Sequence, residues 1–257
     1  MKSIDKTLEY HELIMTLDDF SGICVSDLPQ GYRIELWNGD DCICDWIRIH
    51  METGEFASPK EAEIIFHMYY DKIYSEVSKR CIFVIDENNV KVATATVSPT
   101  DEHDYSCALD WVGVSEYAQG KGIGRALVTR CVRLAKELGY DNMILHTQTN
   151  TWVAAKLYLD LGFKPFIESD VKGWRILKTL TNHITLAQLD NLSLSELYDE
   201  LILNVERQLK KKYTSFNFSV WYIDGHNDVL VNAEDDYHHY KFYENGNVLK
   251  IVDENQL

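Results

Sequence analysis

The stretch Gln119-Gly120-Lys121-Gly122-Ile123-Gly124-Arg125-Ala126 decides how this chain is interpreted. A strand-like run at residues 108–114 precedes it, and residues 123–138 follow with the apolar spacing of an amphipathic helix. The first N–H groups of a helix have no partner within the helix and the dipole is positive there, so this end can bind an anion. Glycines let the backbone approach the anion, and Lys121 and Arg125 add positive charge. The stretch therefore predicts a phosphate-binding turn, although a glycine-rich helix start can also be only a tight turn.

Two common nucleotide-binding motifs do not fit the stretch. The Walker motif needs Lys-Ser/Thr after its last glycine, whereas Gly124 is followed by Arg125-Ala126, and the dinucleotide motif spaces its glycines differently. The stretch instead resembles Gln/Arg-x-x-Gly-x-Gly/Ala, the acyl-CoA pyrophosphate loop of the GNAT N-acetyltransferase superfamily. In this chain the pattern reads Gln119-x-x-Gly122-x-Gly124.

A second segment carries the same resemblance. Residues 150–158 and then Leu161-Gly162-Phe163 resemble the family's Asn…Ala…Leu-Tyr…Leu-Gly-Phe segment, in which the tyrosine hydroxyl lies near the CoA sulfur. The family usually has an asparagine seven residues before the tyrosine. Here Thr151 holds that place and Asn150 lies one residue earlier, so either is a candidate for bonding the pantetheine. The resemblance covers about residues 30–180.

The order of the predicted elements is that of an α/β fold. Strands are predicted at 8–17, 32–37, 81–85, 90–97, 108–114, 143–147, 163–167 and 174–180, and helices at 42–51, 59–79, 123–138 and 152–161. The last two strands are expected to finish the sheet as an antiparallel pair. The resemblance implies a GNAT-type mixed, mostly antiparallel sheet flanked by helices, in which two central strands splay apart around the pantetheine.

The helix at 59–79 has a clear start signal. Ser58 is placed to cap it, Pro59 occupies its first position and Glu61 follows three residues after the cap. Its buried stripe is predicted to contain Ile64, Ile65, Met68, Tyr69, Ile73 and Val77.

The chain is predicted to have two domains. Residues 1–180 form the GNAT acetyltransferase domain, and residues 181–257 form a small C-terminal α+β module of unknown role. The capping box Ser193-Leu194-Ser195-Glu196 begins a helix whose apolar stripe runs to Leu209. Strand candidates follow at 216–223, 229–233, 237–243 and 248–252, with hairpin turns at Asp224-Gly225 and Asn245-Gly246.

The resemblance assigns candidate site residues. The cofactor-binding candidates are Val112, Val114, Gln119, Gly120, Lys121, Gly122, Ile123, Gly124, Arg125, Asn150 and Thr151. Tyr158 is the candidate general acid, against the alternative of a core tyrosine. His146 stands where some relatives have a glutamate base, and an imidazole with an ordinary pKa of about 6.5 can serve as a base near neutral pH. A structural role for His146, Asp110 as the base, and a water chain are the alternatives.

Composition limits the partners. The chain has 257 residues, 46% of them hydrophobic, and a net charge of -16, which argues against nucleic acid and anionic membrane as partners and is compatible with a cationic amine. No apolar run in the sequence approaches membrane-spanning length, and residues 1–10 are polar and charged, so we expect no signal peptide. The six cysteines are scattered without a zinc pattern, so we expect reduced thiols, no metal and a cytoplasmic location.

These observations predict an acetyl-CoA-dependent N-acetyltransferase that moves an acetyl group to a primary amine directly, in a ternary complex. Neither motif contains a cysteine that would suggest a covalent acyl-enzyme. One alternative is a non-catalytic acyl-CoA-binding or sensing module whose C-terminal unit binds a partner. Another is a bifunctional protein whose C-terminal unit sets oligomerisation, for example as a homodimer. The acceptor loops give no specificity signature.

Overall fold

A computed structural model describes residues 4–100, 106–190, 209–210, 213–223, 226–233, 236–245 and 248–253. The chain divides into two compact units, Met1–Ala187 and Gln188–Leu257. Within the described ranges, helices long and apolar enough to cross a bilayer are absent.

The described part of the larger unit contains one seven-stranded sheet with the order β2-β3-β4-β5-β6-β1-β7. Its strands are β1 (Glu12–Leu17), β2 (Arg33–Leu36), β3 (Cys81–Ile85), β4 (Lys91–Pro99), β5 (Ser106–Val114), β6 (Asn142–Gln148) and β7 (Lys164–Pro165). Its helices are α1 (Asp41–Thr53), α2 (Pro59–Tyr70), α3 (Val77–Arg80), α4 (Ile123–Glu137), α5 (Trp152–Asp160) and α6 (Val171–Thr181). β5 and β6 run parallel, and the other neighbours in this sheet run antiparallel. The predicted α/β fold with a mostly antiparallel sheet flanked by helices is confirmed.

The N-terminal strand β1 lies inside the sheet, between β6 and β7, and is antiparallel to both. Its side chains Leu13 and Met15 are fully buried in the core. The two-residue strand β7 pairs with the other edge of β1 and is the last strand at this side of the described sheet.

The strand predicted at residues 174–180 is wrong, since this segment belongs to helix α6. Asp170 caps the helix by accepting a hydrogen bond from the N–H of Gly173 at 2.8 Å. Trp174 and Leu177, one helical turn apart, are both fully buried. Over seven positions, a run of alternating and paired apolar residues fits both the period of a helix and that of a strand. Here the cap at Asp170 and the burial of residues one helical turn apart show that the segment is a helix.

The start of α2 is confirmed, because the Ser58 hydroxyl accepts a hydrogen bond from the Glu61 N–H at 3.2 Å and Pro59 opens the helix. The predicted single helix to residue 79 is wrong in its middle, where residues Asp71–Glu76 form a 3₁₀ segment before α3.

The buried stripe predicted for this helix is confirmed at Val77, which is buried, and at Ile73, which packs against the core, but it is wrong on α2. Ile64, Met68 and Tyr69 are exposed, and the buried face consists of Ala62, Phe66 and Tyr70. Apolar residues occur on both faces of α2, so periodicity alone does not select the side that packs. Phe66 and Tyr70, whose stacked rings have centroids 4.5 Å apart, lie on the face of α2 that packs against the core.

Two irregularities open the centre of the sheet. In the β4–β5 pair, Thr94 lies opposite Gly113 and Thr96 opposite Asp110, so β5 carries a bulge at Trp111, whose φ is 53°. Strands β5 and β6 pair over three residues each, where Ser106–Ala108 lie beside Asn142–Ile144. Both strands continue well beyond these residues. The two central strands thus separate towards their C-terminal ends, as the resemblance implies.

The described part of the smaller unit is an antiparallel four-stranded sheet with the order β11-β10-β9-β8. Its strands are β8 (Phe216–Ile223), β9 (His226–Ala233), β10 (Asp236–Asn245) and β11 (Val248–Asp253). Each of the four strands predicted from the sequence is present. The helix predicted to run to Leu209 lies almost entirely outside the described residues, as do Asp224-Gly225 and Gly246 of the predicted hairpin turns.

Candidate active site

A cavity of about 680 Å³ occupies the region where β5 and β6 diverge. Both strands contribute to its wall, together with the turn before α4 and one face of α5. Ten of the predicted site residues line it: Val112, Val114, Gln119, Gly120, Gly122, Gly124, Arg125, His146, Thr151 and Tyr158. The two sequence motifs, about 30 residues apart in the chain, therefore meet at one cavity.

The glycine turn needs glycine for its backbone conformation. Gly120 has φ 72°, and Gly122, the N-cap of α4, has φ 85°, a region that residues with a Cβ rarely adopt. A Cβ built at either position would meet none of the described atoms within 4 Å. Nε2 of Gln119 donates a hydrogen bond to the carbonyl oxygen of Val114 at 2.9 Å, which ties the turn to β5. The first N–H groups of the 15-residue helix α4 thus lie beside an open space.

The two cations of the turn lie in different places. Lys121 is outside the cavity lining, and its Nζ donates to the hydroxyl of Tyr32 at 3.1 Å. Arg125 lines the cavity, with Nη2 3.6 Å from Oδ2 of Asp160. The side chain of Ile123 is buried in the core. Of these three predicted residues, Arg125 is the one whose side chain lies at the cavity.

Asn150 and Thr151 belong to a 3₁₀ turn, Thr149–Thr151, that leads into α5. Thr151 lines the cavity, and its hydroxyl accepts a hydrogen bond from the Gln148 N–H at 3.3 Å. Asn150 lies outside the lining; its Oδ1 is buried and has no hydrogen-bond partner among the described residues. Of the two alternatives for the pantetheine contact, the structure thus brings Thr151 to the cavity.

Tyr158 is a buried residue of α5 that lines the cavity, and its ring lies 5.8 Å from that of Phe163 between centroids. Burial, and to a smaller extent the neighbouring Cys131, raises the pKa of Tyr158 well above its usual range. Its hydroxyl therefore keeps its proton at neutral pH. This is the state that a general acid requires.

His146, on β6, is about a third exposed, and its Nδ1 lies 3.0 Å from Oε1 of Glu12 on β1. This hydrogen bond lowers the pKa of Glu12, so the carboxylate is ionised at neutral pH. An ionised carboxylate can only accept, so Nδ1 carries the proton and the neutral ring keeps its lone pair on Nε2. Asp110, the alternative base, is a residue of β5 that pairs with Thr96 of β4. It is not among the residues that line the cavity.

Sequence reasoning missed His50, a residue of α1 that lines the cavity and is 3% exposed. Its ring packs on Trp46, with centroids 4.3 Å apart, and lies so close to β5 that a Cβ at Gly113 would be 2.9 Å from its Cε1. Burial lowers the pKa of His50 to about 3, against a smaller opposite effect of a hydrogen bond with the Trp111 backbone. A histidine on the apolar side of an amphipathic helix was the available signal.

Comparison with known proteins places this site in a family. The model of the Acetyltransferase (GNAT) family matches residues 43–163, a range that includes the glycine turn, His146 and Tyr158. This region is a GNAT acetyltransferase domain.

Curated relatives of the GNAT domain include N-acetyltransferase 8B of Homo sapiens, which is 29% identical over 106 residues, or 40% of this chain and 47% of that protein. N-acetyltransferase 8B of Mus musculus is 28% identical over 96 residues, or 36% of this chain and 41% of that protein. The matches thus span less than half the length of these relatives. Among solved structures, a GCN5-related N-acetyltransferase from Sphaerobacter thermophilus aligns with a TM-score of 0.50 at 16% identity, covering 60% of this chain and 48% of that one, which supports the fold.

GNAT enzymes use acetyl-CoA, and the residues of this GNAT domain fit that molecule. An anion can approach the backbone N–H groups at Gly120 and Gly122, where a side chain would occupy the space. The separated part of β5 has backbone groups without a partner strand on the β6 side, which suits the amides of a pantetheine chain.

Proposed function

We propose that this protein is an acetyl-CoA-dependent N-acetyltransferase that transfers the acetyl group directly to a primary amine in a ternary complex. The observation that carries the proposal is that the glycine turn, Tyr158 and His146 line the same cavity. Nitrogen as the acceptor atom is supported by the relatives, both of which are named N-acetyltransferases.

The chain would hold the donor along one continuous path. The N–H groups at the start of α4, with Gly120 and Gly122, bind the pyrophosphate, and Arg125 adds a positive charge at the lining. Backbone groups of Val112 and Val114 bind the pantetheine amides in the gap beside β5. Thr151 contacts the pantetheine from the other side of the cavity. Acetyl-CoA supplies an activated thioester.

Transfer requires one bond to form and one to break. The amine nitrogen bonds to the thioester carbonyl carbon, and the carbon–sulfur bond then breaks. His146, oriented by Glu12, takes a proton from the amine. A backbone N–H of β5 near Val112 stabilises the negative oxygen, and the Tyr158 hydroxyl gives its proton to the leaving sulfur.

Direct transfer is supported by the chemistry of the wall. The residues that line the cavity, as far as the chain is described, include no cysteine. Cys131, which influences Tyr158, is fully buried, and its burial raises the pKa of the thiol far above neutrality. A buried, protonated thiol is a poor nucleophile, so an acyl-enzyme on this residue is not expected.

Two measurements test the proposal. Calorimetry with coenzyme A and with acetyl-CoA should give heat of binding for both, and its absence would overturn the proposed function. A panel of primary amines, scored by release of free thiol from acetyl-CoA, should then identify an acceptor. Binding of coenzyme A without thiol release from any amine would favour the acyl-CoA-sensing alternative.

A further inference from the structure

The proposed function leaves the acceptor site open, and the inference drawn here rests on that function. One part of the cavity wall is formed by His50 and Glu55 from the α1 region and by Trp111 at the bulge of β5. Trp111 follows directly on the regular part of β5 and precedes Val112, where the acetyl group is proposed to lie. An acceptor that attacks the acetyl carbon from the α1 side of the cavity therefore passes these three side chains.

His50, one of the residues that line this wall, carries a buried hydrogen-bond acceptor that no described residue uses. The side chain is 97% buried, given that 3% is exposed, and its Nε2 has no hydrogen-bond partner among the described residues. The Trp111 backbone bonds the imidazole, and because Nε2 is unpaired this bond belongs to Nδ1. A buried polar atom without a partner is costly, and such atoms at cavity walls mark places where a ligand can supply the missing bond.

The protonation state of His50 makes this atom an acceptor. Because burial lowers the pKa of the ring to about 3, the imidazole is neutral throughout the pH range in which acetyl transfer is expected. The hydrogen bond with the Trp111 backbone raises the pKa of the ring, as it does when a ring N–H is the donor. In the neutral ring the proton is therefore on Nδ1, and Nε2 keeps its lone pair. A neutral ring with this tautomer accepts an N–H and does not repel a cation.

The charge of the wall selects a cation. Part of Glu55 is exposed, but its carboxyl group is partly desolvated at the cavity, which raises its pKa. Burial raises the pKa of Tyr10, and negative charge from Glu12 and from Glu55 raises it further, so both carboxylates act on the same region. A protonated amine beside Glu55 would neutralise a carboxylate that is poorly solvated, and the Trp111 ring offers a face for a cation.

We infer that His50, Glu55 and Trp111 form the acceptor site, where Nε2 of His50 accepts a hydrogen bond from the N–H of a primary aliphatic amine that arrives as an ammonium ion beside Glu55. The ammonium ion loses one proton to water before attack, and the hydrogen bond to His50 orients the nitrogen lone pair towards the acetyl carbon. His146 takes the second proton once the nitrogen has bonded to that carbon. His50 is thus a positioning residue of the reaction and keeps its own protonation state.

Histidine ¹⁵N NMR on the full chain tests the contact without turnover. With coenzyme A bound, addition of n-butylamine should shift the Nε2 signal of His50, and the same amount of 1-butanol should leave it unchanged. The signal is assigned by its loss in His50→Gln. An unshifted His50 signal at saturating n-butylamine, with coenzyme A bound, would overturn the inference and leave the proposed function intact. Failure of coenzyme A to bind would overturn the proposed function and this inference with it.

Kinetics with n-butylamine and acetyl-CoA give a second readout. His50→Phe, which keeps a planar ring but has no acceptor atom, should lower kcat/KM for the amine about tenfold, equivalent to about 1.4 kcal/mol, without changing the KM for acetyl-CoA. His50→Gln should recover most of this loss because its amide oxygen accepts a hydrogen bond. His67→Phe is the matched control, since His67 is exposed on α2 and bonds Asp71 at 2.9 Å. Wild-type kcat/KM in a folded His50→Phe variant would overturn the inference, and the NMR result decides if that variant does not fold.

Discussion

Nδ1 of His146 lies 3.0 Å from Oε1 of Glu12, across the diagonal of the β1–β6 pair. His146 is opposite Ile14 in this pair and Glu12 is opposite Gln148, so the two side chains share one face of the sheet. The contact connects the N-terminal strand to the proposed catalytic base, since a carboxylate on Nδ1 fixes both the tautomer and the orientation of the ring.

Replacing Glu12 by glutamine should therefore lower kcat about tenfold, a part of the 10²- to 10⁴-fold contribution that is typical of a general base. The affinity for acetyl-CoA should stay unchanged, because Glu12 is not among the residues that line the cavity. Steady-state kinetics with the best amine of the panel measure both quantities. Glu63→Gln, at an exposed position of α2, is the control. A wild-type kcat in Glu12→Gln would contradict the assignment of His146 as the base.

Tyr158→Phe removes the proposed proton donor and keeps the buried ring. We expect kcat to fall about 100-fold or more, since the leaving sulfur then has to depart without its proton. Coenzyme A should bind as before in calorimetry, and the melting temperature should not fall. Tyr117→Phe, at an exposed tyrosine near the glycine turn, serves as the control. If both variants turn over at the same rate, Tyr158 is a core tyrosine only.

Gly122→Ala should have two effects. A methyl group at φ 85° strains the backbone, which should lower the free energy of unfolding by about 1–2 kcal/mol. It should also weaken binding of coenzyme A, because the methyl group enters the space proposed for the pyrophosphate.

Gly139→Ala separates the two effects. Gly139 has φ 94° at the other end of α4, and a Cβ added there would, as at Gly122, meet none of the described atoms within 4 Å. Denaturation should show the same loss of stability in both variants, whereas calorimetry should show weaker coenzyme A binding in Gly122→Ala alone. Equal affinities would mean that the turn does not hold the pyrophosphate.

Glu55 should make stability depend on pH. Partial burial raises its pKa above the ordinary value of 4.5, so in the window above 4.5 the folded state retains a proton that the unfolded state has released. The protonated side chain is therefore favourable to the folded state, and the free energy of unfolding falls as the pH rises and Glu55 must ionise in the fold. Glu55→Gln should be at least as stable as the wild type at pH 7 and no more stable at pH 4, as measured by urea denaturation. A variant that is less stable at pH 7 would contradict a desolvated carboxylate.

Gly173→Ala tests the packing of α6 on the N-terminal strand. A Cβ at Gly173 would lie 2.6 Å from Cβ of His11 and 2.8 Å from Cδ2 of Leu13, so the helix would have to move. We expect a loss of about 1–3 kcal/mol in the free energy of unfolding, as for other overpacked contacts. Gly22→Ala, where nothing in the described residues lies within 4 Å, should lose much less. Equal stability of the two variants would argue against close packing of α6 on β1.

The features that sequence reasoning predicts correctly are those with a local cause. The glycine turn, the capped start of α2 and the hairpin strands β3 and β4 each depend on residues close together in the chain. The position of β1 depends on pairing with residues some 130 positions away, which leaves no trace in local periodicity. Periodicity alone gives segment 174–180 the wrong structure, because the cap of its helix, Asp170, lies before the apolar run.

The site shows the same division. Tyr158 and the glycines can be found because they stand in short motifs, whereas His50 stands in none, and its importance comes from burial and from a nitrogen without a described partner. The charge of Lys121 predicts that it binds the ligand, but its hydrogen bond is to Tyr32, a residue that is distant in sequence. The roles of all these residues, the cytoplasmic location and a homodimer stay predictions until measured.

The central place of β1 has a consequence for biosynthesis. The segment Glu12–Leu17 leaves the ribosome more than a hundred residues before its partner β6, and β7 is made later still. Until then an apolar strand with Leu13 and Met15 has both edges unpaired, a state that favours aggregation. Folding of the sheet must therefore wait for nearly the whole GNAT domain, and such long-range pairing slows folding. We expect nascent chains that end before residue 142 to depend strongly on chaperones.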